Sequence, residues 1–314
     1  MSQQTKATIP VIDLEPISIR HDSDEIDRDT LAEKGNEMKN ALQTYGFFYA
    51  KNHGITANLV DNVLASAKSF FEKDEQSKKR HFRGAKGELG WIRMESEKSD
   101  PDSPGDLKES FNYHPTDDRN IFLQSDFNQN CKSMYSLCSK LTYNVTDALS
   151  IALGSGHRIL REAYQQLGLK GNQTLFRSLM YPPIPPNHDV KPGQIRLGEH
   201  TDYGMVTFLF QDDAGGLEMN TPNLGYVPVT PIPETIVVFV GLQMQIITGD
   251  ALVAPKHKIL FPVSEAEARK RRQSATFALR ADDNFVLKSL DGSQKYKPVY
   301  SSEYLDHRQT EVIV

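Results

Sequence analysis

Between about residues 172 and 279 the chain breaks into short apolar, β-branched or aromatic runs divided by Pro and Gly: 175–180, 194–197, 205–210, 217–219, 226–229, 235–240, 252–253, 259–260 and 275–279. Strands this short and this closely spaced close into a sandwich or a barrel. The preceding half reads differently. Ile9-Pro10-Val11-Ile12-Asp13-Leu14 is β-prone and is followed by a charged surface loop up to Asp29. Thr30-Leu31-Ala32-Glu33 has the form of a capping box, and Leu31, Gly35, Met38, Leu42 and Tyr45 then recur at steps of three and four, one face of a helix that Gly46 ends. Phe47-Phe48-Tyr49-Ala50 reads as a buried strand, and Leu59, Val60, Val63, Leu64, Ala67 and Phe71 as a second helix. Residues 77–130 are charged and punctuated by Gly and Pro, hence mostly loop, and a loop region that long is more often functional than idle. The longest helix follows, with Cys131, Met134, Cys138, Leu141, Val145, Leu149 and Ala152 in register before Gly154. No internal repeat or clean linker divides the chain. It reads as one unit over 1–314, with a helical and loop region at 8–120 and the β core at 172–285.

Composition narrows the function classes. With 36 Lys+Arg against 41 Asp+Glu the formal charge is −5, which leaves no basic footprint for nucleic acid. The richest apolar stretch, 236–247, is interrupted by Gln243 and Gln245 and is too short to span a bilayer. Residues 1–6 are polar, unlike a signal peptide. Cys131 and Cys138, seven apart on one helix face, suit buried thiols better than a disulfide. A cytoplasmic protein, monomeric or homodimeric and acting on a small molecule, is the expectation.

Most of the nine histidines fall in charged segments, turns or helix ends and read as surface or structural. His200 differs, because it opens His200-Thr201-Asp202 between two β runs, and residues i and i+2 of a strand point the same way. His257, 55 residues beyond Asp202, is the candidate third ligand. Two histidines and one carboxylate on one face of an iron leave the opposite positions open for oxygen and a co-substrate, the arrangement of non-haem Fe(II) oxygenases. Alone, His-x-Asp is a common spacing. Arg272-Gln273-Ser274 adds a guanidinium fork and a hydroxyl able to hold a carboxylate, unless Arg272 is merely the end of the solvated basic run Arg269-Lys270-Arg271-Arg272.

Seven motifs then occur in a telling order: Ile9-Pro10-Val11-Ile12-Asp13-Leu14, Tyr45-Gly46-Phe47-Phe48-Tyr49 with Asn52-His53-Gly54, Lys108-Glu109-Ser110-Phe111, Tyr181-Pro182-Pro183, Gly198-Glu199-His200-Thr201-Asp202-Tyr203-Gly204, Gly215-Gly216-Leu217 and Arg272-Gln273-Ser274. In this the chain resembles the Fe(II)- and 2-oxoglutarate-dependent dioxygenases related to isopenicillin N synthase, over residues 8 to 308. The resemblance implies a mainly β fold with flanking helices, a double-stranded β-helix (jelly-roll) core behind a helical N-terminal part. It also implies Fe(II) on His200, Asp202 and His257, with 2-oxoglutarate on Arg272, Ser274 and Tyr181. The resemblance further implies oxygen as the oxidant and ascorbate as a reductant for reactivation. Gly193-Gln194-Ile195-Arg196-Leu197-Gly198-Glu199 before the metal motif, Leu209-Phe210-Gln211-Asp212 after it and Ser302-Glu303-Tyr304-Leu305 near the end are more similar to the microbial and animal branch that includes thymine 7-hydroxylase than to plant hormone or flavonoid enzymes.

The chain also departs from the family pattern. Leu179 stands where plant members usually have Asn, Phe239 and Leu242 replace an Asn and an Asp before the distal histidine, and Lys256-His257-Lys258 replaces Pro-His-Arg. Ala278 stands where a second aromatic is common, which implies a roomier pocket than in a thymine hydroxylase. The reaction implied is oxidation, chiefly hydroxylation, of a C–H bond in a small polar molecule, with release of succinate and CO2. Substrate contacts are expected from Arg177, Tyr203, Phe111, Asn112 and Arg93. Two other readings remain open: an oxidase of isopenicillin N synthase type that uses no 2-oxoglutarate, and a catalytically silent scaffold or sensor.

Overall fold

The computed structural model describes residues 8–83, 88–98, 104–184, 190–262 and 268–310. His188 and the glycines and proline at 84, 87 and 101 lie outside the described residues. Helix α1 (Arg28–Tyr45) starts earlier than the Thr30 capping box suggests, because Asp27 is the cap: its Oδ1 accepts from the Thr30 N–H at 2.9 Å. Gly46, at φ +82°, closes the helix by donating its N–H to the Leu42 carbonyl, a left-handed position that suits glycine. Helix α2 (Ala57–Phe71) is capped by Thr56, and the single turn α3 (Glu75–Lys78) by Asp74. Helix α4 (Ser125–Ala152) is the scaffold, with Cys131, Met134, Cys138, Leu141 and Val145 fully buried. Gly35 of α1 lies so close to α4 that a Cβ there would stand 2.0 Å from the Ala148 carbonyl oxygen.

Two sheets face each other. The larger holds β1 (Val11–Asp13), β2 (Phe47–Lys51), β3 (Gly90–Ile92), β4 (Glu109–Tyr113), β5 (Leu175–Tyr181), β7 (Val206–Gln211), β10 (Ile236–Val240) and β12 (Arg272–Leu279), in the order β1-β2-β10-β7-β12-β5-β4-β3. The smaller holds β6 (Leu197–His200), β8 (Leu217–Thr221), β9 (Gly225–Pro228) and β11 (His257–Ile259), in the order β6-β11-β8-β9. Strands of the larger sheet are apolar on both faces because each face has a cover. Phe48, Phe208, Val238 and Phe277 pack in the core shared with α1, α2 and α4, while their neighbours Phe47, Leu209, Phe239 and Tyr181 pack in the core between the sheets. The strand spacing pointed to a sandwich or barrel, and the fold is the jelly-roll that the family resemblance implied.

Three local readings are corrected. Residues 77–130, read as mostly loop, also carry two short strands, β3 and β4, that extend the larger sheet; their charges are spent on ion pairs, which hides them from hydropathy. Residues 252–253 form no strand, lying in the turn between helix α5 (Leu242–Ile247) and β11. His81, read as lying in a charged segment, is buried against Phe70.

Candidate active site

The jelly-roll brings His200 and His257 together because β6 and β11 are paired with these residues directly opposite each other. Their ring centroids are 4.1 Å apart. The register slips between His257 and Ile259, so that Ile259 faces Leu197, a bulge in β6 beside the site. Asp202 is not on the strand as the i, i+2 argument supposed. β6 ends at His200, and Asp202 lies in the irregular segment after it, aimed back by the Leu242 N–H, which donates to its carbonyl at 2.8 Å. Asp202 Oδ1 lies 3.7 Å from His200 Nε2 and 3.5 Å from His257 Nε2. The donor atoms of these three residues all fall within 4.8 Å of one another.

The tautomers suit a metal. Nδ1 of His200 donates to the Gly198 carbonyl at 2.9 Å and Nδ1 of His257 to the Pro255 carbonyl at 3.4 Å, which leaves each Nε2 bare toward Asp202. Burial lowers both imidazole pKa values, and for His257 the neighbouring His200 adds to the effect, so both stay in the neutral, ligating form. The Thr207 hydroxyl donates to Asp202 Oδ2, leaving Oδ1 to face the histidines. At the two departures before His257, Phe239 meets the ring edge-on at 5.1 Å and Leu242 contributes only its backbone. Polar support has been replaced by packing and main chain.

Arg272 opens β12 directly opposite Tyr181 of β5. It is 0% exposed, which removes the solvated-run reading. Its Nε donates to the Gly215 carbonyl at 2.8 Å, Nη1 to Ser274 Oγ at 3.1 Å and Nη2 to Gln211 Oε1 at 3.2 Å, and the guanidinium lies 4.9 Å from the Tyr181 ring centroid. The Tyr181 hydroxyl is fully buried without a hydrogen-bond partner. A buried guanidinium matched only to neutral oxygens, beside an unsatisfied hydroxyl, fits a small carboxylate.

A cavity of about 170 Å³ joins the two clusters, with Tyr181, Ser274, His200, Asp202, His257 and Tyr203 on its wall. Ala278 also lines it, with a methyl group where a second aromatic ring is common. Arg177 lines it too, but as part of an ion lattice. Glu97, 8% exposed, accepts from Arg177, from Lys108 at 2.9 Å and from Arg83 at 3.5 Å, while Lys108 also meets Asp106 at 3.1 Å. Arg280 holds Glu88 through two bonds of 2.5 and 2.7 Å. Of these seven cavity residues the sequence analysis singled out only Arg177 as a site residue. The available signal was the length and charge of the region 77–130, which contributes five of the seven.

Three expected substrate contacts lie elsewhere. Phe111 packs among Phe70, Phe127 and His81 on the helix side of β4. Asn112 shares the face of Arg177, but its amide donates to the Glu88 carbonyl at 2.9 Å and it does not reach the cavity wall. Arg93 points outward, 53% exposed, 3.8 Å from Glu75.

The site can now be set beside known proteins. Residues 9–131 match the family model described as non-haem dioxygenase in morphine synthesis N-terminal, and residues 169–281 that of the 2OG-Fe(II) oxygenase superfamily. A proline hydroxylase of Petromyces alliaceus is 30% identical over 238 residues, 71% of this chain and 73% of that one. A 1-aminocyclopropane-1-carboxylate oxidase of Malus domestica is 29% identical over 308 residues, 96% of this chain and 85% of that one. The structure of the full-length thymine 7-hydroxylase of Neurospora crassa in complex with alpha-KG has the same fold, with a TM-score of 0.81 at 23% identity over 98% of both chains. No helix among the described residues is long and apolar enough to cross a membrane. With its His-Asp-His cluster, jelly-roll and matched relatives together, the chain belongs to the 2OG-Fe(II) oxygenase superfamily and is a non-haem Fe(II)- and 2-oxoglutarate-dependent dioxygenase.

Proposed function

We propose that His200, Asp202 and His257 hold the Fe(II), that Arg272, Ser274 and Tyr181 hold 2-oxoglutarate, and that the enzyme hydroxylates a C–H bond of a small polar molecule with release of succinate and CO2. The observation that carries this reading is the single cavity onto which both clusters open. The iron and 2-oxoglutarate supply the oxidising power when bound, by coupling oxygen reduction to oxidative decarboxylation. The protein supplies placement. Gly198 and Pro255 carbonyls fix the imidazole orientation, Thr207 orients the Asp202 carboxylate, and Arg272 with Ser274 and Tyr181 would orient the co-substrate through its distal carboxylate. Tyr203, Arg177 and the Glu97 lattice form the substrate side, where paired charges favour a molecule bearing polar or charged groups over a hydrocarbon. The free, buried Cys131 and Cys138 suit a reducing, cytoplasmic setting, and a monomer or homodimer that binds no nucleic acid accords with the modest charge.

The test is anaerobic visible absorption of the protein with Fe(II) during titration with 2-oxoglutarate. A charge-transfer band that vanishes in His200→Ala and needs far more 2-oxoglutarate in Arg272→Ala is the expected result. Iron binding without the band in the wild type would overturn the co-substrate assignment in favour of the oxidase reading. No iron binding would overturn the ligand assignment.

A further inference from the structure

Three cations on the cavity wall share two carboxylates. Glu97 accepts from Lys108 at 2.9 Å, from Arg83 at 3.5 Å and from Arg177, and Asp106 meets Lys108 at 3.1 Å. Arg280 is held separately by Glu88. Among the described residues that line the cavity, outside the His-Asp-His cluster, cations therefore outnumber carboxylates by one. The co-substrate half adds nothing to that balance when loaded, since Fe(II) and Arg272 match Asp202 and the two carboxylates of 2-oxoglutarate. The surplus falls on Arg177. Its side chain is 20% exposed, against 5% for Arg83 and 4% for Lys108, so it is the one of the three that opens onto the cavity. Its Nη2 donates to Glu97 and, at 2.9 Å, to Ser110 Oγ, while Nε and Nη1 have no acceptor among the described residues. A guanidinium keeps its charge when buried, so donors left over beside apolar walls favour an anion there.

The strands set a hydroxyl beside this cation. Arg177 of β5 stands opposite Thr276 of β12, and Thr276 lines the cavity with no side-chain hydrogen bond among the described residues. The face of β12 that offers Arg272 and Ser274 to one carboxylate thus offers, two residues further on, a hydroxyl paired with a second guanidinium. Leu175 and Leu179 flank Arg177 on the same face of β5, and Ala278 stands opposite Leu175. The pair is polar in an apolar frame.

We infer that the substrate is a small carboxylic acid with a hydrocarbon body, whose carboxylate is received by Arg177 and Thr276 while Leu175, Leu179 and Ala278 take the carbon skeleton. This rests on the function proposed above and adds the sign of the charge that it leaves open. It differs from a lattice in which Arg177 only buttresses Glu97, because a buttress has no reason to tell an acid from its amide.

The experiment is anaerobic calorimetric titration of the full chain, loaded with Mn(II) and saturating 2-oxoglutarate so that the co-substrate pocket is filled. The probes are matched pairs of acid and amide: butyrate and butyramide, hexanoate and hexanamide, cyclohexanecarboxylate and its amide. At least one acid should bind the wild type about tenfold or more tightly than its amide, and in Arg177→Gln that preference should shrink to about twofold or less with the amide little changed. Arg177→Lys should keep part of the preference. Thr276→Val should weaken the acid by about threefold or more and the amide by less. Arg177→Gln leaves Lys108 and Arg83 balanced against Glu97 and Asp106 and should fold. No preference for any acid in the wild type, or a preference that survives Arg177→Gln, would overturn the inference. Should Arg177→Gln fail to fold, Thr276→Val carries the test, and an unchanged preference there would overturn it. A wild type that takes up no 2-oxoglutarate at the loading step would instead bring down the proposed function, and the inference with it, before any acid is added.

Discussion

Glu97→Gln is the perturbation that most directly tests the ion lattice on the cavity wall. Glu97 is buried against Lys108 at 2.9 Å, Arg83 at 3.5 Å and Arg177. Burial alone would raise its carboxyl pKa, but Arg177, Lys108 and Arg83 together hold it well below the usual carboxylate range. Glutamine keeps the shape and removes the charge, leaving three cations with Asp106 alone beside Lys108 at 3.1 Å. Removing one partner of a buried ion pair costs about 3–5 kcal/mol. For 314 residues, at about 2.1 cal/mol/K of unfolding entropy per residue, the total is about 0.66 kcal/mol/K, so the melting temperature should drop by about 5–8 °C. The sign with pH follows from the depressed carboxyl. Its contribution is complete above the ordinary value of 4.5 and is lost as pH falls toward the folded value, so the gap between wild type and variant should hold between about pH 8 and 5 and narrow below about pH 4. Scanning calorimetry across that range measures both. A drop below about 2 °C, or a gap that does not narrow in acid, would refute the view that Glu97 is the lattice's electrostatic centre.

Other perturbations separate the metal site from its scaffold. Thr207→Val removes the hydroxyl that orients Asp202 and should weaken Fe(II) binding by about 10–100-fold in a chelator competition, with a stability loss of only about 1 kcal/mol; unchanged affinity would show that Asp202 needs no such support. Gly35→Ala places a Cβ 2.0 Å from the Ala148 oxygen, and the resulting overpacking of about 1–3 kcal/mol should outweigh the helix-propensity gain of about 1 kcal/mol in urea unfolding; a more stable variant would contradict the close approach of α1 and α4. His53 is buried, with Nδ1 accepting the Ile55 N–H at 3.2 Å, and burial pushes its pKa down to about 4. Because the unfolded imidazole takes its proton first as pH falls, stability should be complete above pH 6.5 and lost at up to about 1.4 kcal/mol per pH unit down to about 4; His53→Gln should flatten that slope, and an unchanged slope would sink the argument.

What the sequence made legible was whatever depends on neighbours along the chain. The α1 and α4 faces follow from the three- and four-residue steps, and the two-faced strands from runs such as Phe47-Phe48-Tyr49-Ala50. Where local signals compete, the reading slips. Asp27 and Thr30 are both good caps, and they form one device in which Thr30 donates through its N–H and its hydroxyl to the Asp27 carboxylate. Side-chain direction on and just after an unrecognised strand was not legible, which is why Phe111 on β4 and Arg93 just past β3 were expected to touch substrate. The lattice was illegible for a stronger reason, since the pairs that tie it to β5 and β12 are distant in sequence: Glu97 with Arg177 is 80 residues apart and Glu88 with Arg280 is 192. The run Arg269-Lys270-Arg271-Arg272 shows the limit most sharply. Four similar cations follow one another, of which the first three are exposed and the fourth is fully buried. Nothing in composition separates them. The strand begins at Arg272, and only the hydroxyl two residues on, at Ser274, marks it as the cation that turns inward, because i and i+2 on a strand share a face. At that position one residue of register decides between a solvated charge and a fully buried one.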